Sequence, residues 1–134
     1  MKYTEQEAQA IFAQMVFPEE VSKCPIYCMF PSTGFFASPS KFNVGYVTCT
    51  SHGRILMAVQ TIAGWRTGML NLRTVKQMKI KKNIAGQYVV EARFPTDKKD
   101  YIFKIQAARK VLGMNLPNQA EHLDRFISML RVYE

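Results

Sequence analysis

Residues 69–105, MLNLRTVKQMKIKKNIAGQYVVEARFPTDKKDYIFKI, decide the fold. Met78 and Ile80 alternate with Lys79 and Lys81. Tyr88, Val90, Ala92 and Phe94 alternate with Glu91 and Arg93, and Tyr101, Phe103 and Ile105 with Lys104. Successive side chains of a strand point to opposite faces, so a period of two repeated three times describes a sheet with one dry face and one charged face. Asn83-Ile84-Ala85-Gly86 and Pro95-Thr96-Asp97-Lys98-Lys99 have the composition of the turns between them. If Phe94 faces Tyr101, matching the dry faces, Glu91 falls opposite Lys104. That charge pair would help fix the register.

Upstream, Ile55, Met57 and Val59 alternate along one strand, and Phe42, Val44, Tyr46 and Thr48 along the strand before it, with Ser51-His52-Gly53 as the hairpin turn. Cys24 to Phe30 supplies a first strand. Thr67 to Leu72 supplies a fourth after a reversal at Ala63-Gly64-Trp65-Arg66, and a break or bulge is expected near Arg73-Thr74. Seven strands are thus expected over residues 24–106. The seven glycines are spaced as turn residues.

Two helices flank the strands. Thr4 and Glu7 have capping-box spacing. Ala8, Ile11, Phe12, Met15 and Val16 follow on one face, giving a helix within residues 1–17 that stops before Pro18. At the other end Asn118 stands as a cap with Glu121 at the box position. Leu123, Phe126, Ile127 and Leu130 form the apolar stripe of a helix over 118–133. Such a stripe must be buried, and the open end of a curved sheet is the place available.

With 134 residues, 48% hydrophobic and 21% charged, the chain has the length and composition of one globular domain, 1–134. Its net charge of +8 is unevenly placed: Lys2, Lys23 and Lys41 in the first 50 residues are outnumbered by Glu5, Glu7, Glu19 and Glu20, so the surplus belongs to the later strands. A local excess of that sign faces something anionic or keeps a small protein soluble. No stretch has the apolar length of a membrane span, and the N-terminus lacks a signal-peptide pattern. Three cysteines without an export signal are expected reduced, and the setting expected is cytoplasmic, with peripheral attachment to the membrane open.

Seven strands and a closing amphipathic helix are the element order of the pleckstrin-homology superfold. Tyr46-Val47-Thr48 through Gly53-Arg54-Ile55-Leu56, then Leu70 to Ile80, then Leu123 to Leu130 resemble a bacterial PH-like domain. The resemblance implies a mainly β barrel of seven antiparallel strands in two near-orthogonal sheets, capped by the C-terminal helix, with the N-terminal helix as an addition. Phosphoinositide-binding members carry a Lys/Arg cluster at the end of the first strand and the start of the second. In this chain Met29 to Asn43 contains only Lys41, so those headgroup residues do not transfer.

No catalytic motif is visible. His52 sits in a turn and His122 in a first helical turn, and no Gly-rich phosphate loop or paired-carboxylate motif appears. The chain is therefore expected not to be an enzyme, and no cofactor is expected. Cys24, Cys28, Cys49 and His52 could offer metal ligands, but a three-residue spacing with Pro25 inside it suits buried thiols better. Two surfaces remain as candidates for contact. One is the basic set Lys76, Lys79, Lys81, Arg93, Lys98, Lys99 and Lys104; the other is the apolar pair Phe35 and Phe36 in a loop. The expected partner is a protein or an anionic lipid surface. Nucleic acid is the alternative, disfavoured because the aromatic rings of these strands fall on the opposite parity from the lysines.

Overall fold

A computed structural model describes residues 3–31 and 42–134. In order, the elements are α1 (Glu5–Ala13), β1 (Ile26–Pro31), β2 (Phe42–Cys49), β3 (Arg54–Thr61), β4 (Gly64–Asn71), β5 (Gln77–Lys82), β6 (Tyr88–Phe94), β7 (Tyr101–Ala107) and α2 (Gln119–Arg131). The seven strands form one antiparallel sheet in the order β4-β3-β2-β1-β7-β6-β5. This corrects the expected division into two sheets: hydrogen bonding runs continuously through all seven strands. The link is slender at one place, because β1 and β7 share a single register pair, Met29 with Gln106.

The expected register of the last hairpin is present. Phe94 faces Tyr101 and Glu91 faces Lys104. On the dry side Val90, Ala92, Phe103 and Ile105 are buried with Met78, and Tyr88 is half-buried against them. The stripe of α2, Leu123, Phe126, Ile127 and Leu130, closes the same core. The break near Arg73-Thr74 is a turn of 3-10 helix, Leu72–Thr74, rather than a bulge, with the Asn71 side chain accepting the Arg73 N–H at 3.0 Å.

Helix α1 covers the other face of the first half of the sheet. Its Ala8 and Phe12 pack on Tyr46, Leu56 and Ala58, so β2 and β3 are buried on both sides. The capping box is half as expected. Thr4 Oγ1 accepts the Glu7 N–H at 3.0 Å, but the Glu7 carboxylate accepts the Tyr46 hydroxyl at 2.8 Å, and that hydroxyl in turn accepts the Thr4 N–H at 2.8 Å. Asn118 holds the cap position of α2 without a capping bond from its side chain. Its side-chain amide and backbone N–H both go to the Glu5 carboxylate, tying the two helix starts together.

Not every glycine is a turn residue. Gly45 lies within β2, where an added Cβ would come within 1.9 Å of the Ala58 carbonyl oxygen, so only glycine permits this approach of β2 to β3.

Candidate functional site

The outward side chains of β5 to β7 follow from the register. Lys79 faces Glu91, which faces Lys104. Lys81 faces Val89, which faces Gln106. The nominated cations therefore do not behave alike. Lys104 lies 3.9 Å from the Glu91 carboxylate. Lys76 and Arg93 converge on Asp100, at 3.1 and 3.8 Å. Lys79, Lys81, Lys98 and Lys99 are exposed and join no ion pair among the described residues.

Local structure holds these four in two groups. Lys79 and Lys81 sit two apart on β5, the edge strand, and so share one face. Lys98 and Lys99 sit in the β6–β7 turn, where the Thr96 hydroxyl bonds to the Lys99 carbonyl and accepts the Lys98 N–H. Lys82, at the end of β5, lies with its ammonium 5.1 Å from the centre of the Tyr88 ring, an electrostatic attraction that keeps the positive end near the same edge. Tyr101 is half-buried beneath this face, and burial pushes its hydroxyl up to about 12. Phe35 and Phe36, the expected apolar contact loop, lie outside the described residues.

The other groups considered from sequence are placed elsewhere. Cys24, Cys28 and Cys49 are free and buried in the core, and burial pushes the Cys28 thiol up. His52 is exposed in its turn, while His122 Nδ1 lies 2.9 Å from the Pro25 carbonyl.

No family model and no curated protein matches the chain. Among solved structures, the hSac2 domain from human phosphoinositide phosphatase Sac2 matches with a TM-score of 0.59 at 10% sequence identity, over 96% of this chain and 79% of that one. The architecture resembles a PH-like fold. That finding corrects the expectation that the chain is not an enzyme. A similar architecture is a domain of a phosphatase, so the lack of a catalytic motif in the sequence no longer argues against catalysis. At this identity the likeness shows the fold alone and transfers no reaction, substrate or residue role to this chain. No helix is long and apolar enough to cross a membrane among the described residues.

Proposed function

We propose that this chain is a binding module whose β5–β7 face engages an anionic membrane surface. We also propose that it is a bacterial PH-like barrel, its one continuous sheet bent into two near-orthogonal halves, working in the cytoplasm at the membrane periphery. The observation that supports it is the set Lys79, Lys81, Lys98 and Lys99, exposed and joining no ion pair among the described residues, whereas Lys76 and Arg93 lie against Asp100 and Lys104 against Glu91. A basic residue near an anionic leaflet contributes about 1 kcal/mol, and the attraction is screened by salt. Four such residues, two on the edge strand and two in the β6–β7 turn, give useful attachment without any headgroup pocket.

Co-sedimentation with vesicles of phosphatidylcholine, alone or mixed with phosphatidylserine, tests this. Binding is expected only where the anionic lipid is present, and it should fall as salt is raised. The double change Lys79→Glu and Lys81→Glu, at exposed positions that leave the core intact, is expected to weaken it on the order of tenfold or more. Equal binding to neutral vesicles, or no response to the charge reversal, would overturn the proposal.

A further inference from the structure

Beyond Met29, β1 and β7 stop pairing, and the Gln119 side chain bridges the gap that results. Gln119 Oε1 accepts the Tyr27 N–H at 3.0 Å, and its Nε2 donates to the carbonyls of Tyr27 at 2.9 Å and Ala108 at 3.0 Å. The parted strands leave a cavity of about 330 Å³. Its apolar lining includes Met29 of β1 and Val111 and Leu112 of the segment leading to α2. Leu112 is 89% exposed and stands at this lining with little of its own surface covered.

The polar lining is selective in sign. Gln87 and Gln106 both contribute, and Gln106 Nε2 donates to Gln87 Oε1. Asn83 Nδ2 donates to the same oxygen at 3.1 Å. Gln87 Oε1 is thus doubly used, while the side-chain Nε2–H groups of Gln87 have no acceptor among the described residues. Lys110 also lines the cavity and joins no ion pair among the described residues; its neighbour Arg109 is held by Asp124 at 3.0 Å. No carboxylate lines the space among the described residues.

We infer that this seam is a binding site for a small apolar carboxylate, its alkyl body against Met29, Val111 and Leu112 and its acid group accepting from Lys110 and the Gln87 amide. Sites of this size, largely apolar with a few polar groups that fix orientation, are the usual form of small-molecule pockets. The inference does not rest on the membrane proposal, because its residues are distinct from the four unpaired lysines.

Calorimetric titration with decanoate, decylamine serving as the matched cation, tests it. Saturable one-site binding of decanoate is expected, with none of decylamine. Lys110→Glu is expected to weaken decanoate at least tenfold and Leu112→Ser several-fold, both at exposed positions. The Lys79→Glu, Lys81→Glu protein is expected to bind decanoate as the parent does. Absence of saturable binding, equal binding of the amine, indifference to both seam changes, or loss of binding in the β5 variant would each overturn the assignment.

Discussion

Glu20 and Arg54 are both charged and both buried, at 5% and 6% exposure, and their surroundings show why that is tolerated. Arg54 Nη2 donates to Glu20 Oε1 at 2.6 Å and Nε to Oε2 at 2.9 Å, a two-pronged pair. The Thr50 hydroxyl and the Phe17 N–H also donate to the carboxylate. Nη2 also donates to the Met15 carbonyl at 3.1 Å, Nη1 lies 2.9 Å from Met69 Sδ, and the guanidinium carbon stands 4.3 Å from the centre of the Phe17 ring. The pair thus clamps the segment after α1 onto the start of β3. Hydrogen bonding to Arg54 is the chief reason the Glu20 carboxyl is lowered from 4.5 to about 2. A depressed acid contributes stability above its unfolded value and loses it as pH falls toward the folded value. Glu20→Gln should therefore cost about 3–5 kcal/mol near neutrality, since an unpaired buried charge is left behind. The difference from the parent should narrow as pH drops from 4.5 toward 2. Urea unfolding of both proteins across that range measures it. A difference that stays constant with pH would show that Glu20 is not ionised in the folded protein.

At the scale of elements, the sequence carried the strands and helices well and their destinations less well. Alternation placed β6 and β7 within a residue of Tyr88–Phe94 and Tyr101–Ala107, because one face of each is dry and the other wet. The 3.6-residue stripe of α1 shows that the helix must bury something but not which face of which strand receives it. One signal did mark the place. In Ile55-Leu56-Met57-Ala58-Val59 the residues between the alternating positions are apolar too, and a strand apolar on both parities needs cover on both faces. The structure supplies that cover with Phe12, fully buried against β2 and β3. Phe12→Ala should destabilise the protein by about 3–5 kcal/mol. Ala13→Ser, on the exposed side of the same helix, should change stability by less than about 0.5 kcal/mol. Chemical denaturation of the two variants decides whether α1 is part of the folded unit. Similar small effects would mean that the helix is a detachable arm.

At the scale of the molecule, the charge asymmetry was legible from composition, but the usable charge was not. Which lysines are neutralised depends on cross-strand register and on Asp100, at the mouth of a turn, reaching both Lys76 and Arg93. The seam was invisible for the same reason: Gln119 reads as an ordinary polar residue at the start of an amphipathic helix, yet it is 2% exposed and replaces a missing strand partner. The two ends of the strand order meet this weakness together. β4 to β1 and β7 to β5 are each well laddered, whereas the join between them is one register pair plus the bridge from α2. Helix α2 accordingly has two tasks, closing the core with Leu123, Phe126, Ile127 and Leu130 and tying the halves together through Gln119. A chain ending at Pro117 loses both at once. It should keep a β-type far-UV circular dichroism spectrum but lose the near-UV signal of its aromatic side chains. It should also bind a hydrophobic dye and melt without a cooperative transition, the behaviour of a compact state whose packing has gone. Were the shortened chain instead to melt sharply at the parent's midpoint, the strands would be holding the join unaided, and Gln119 would not be the tie between the halves.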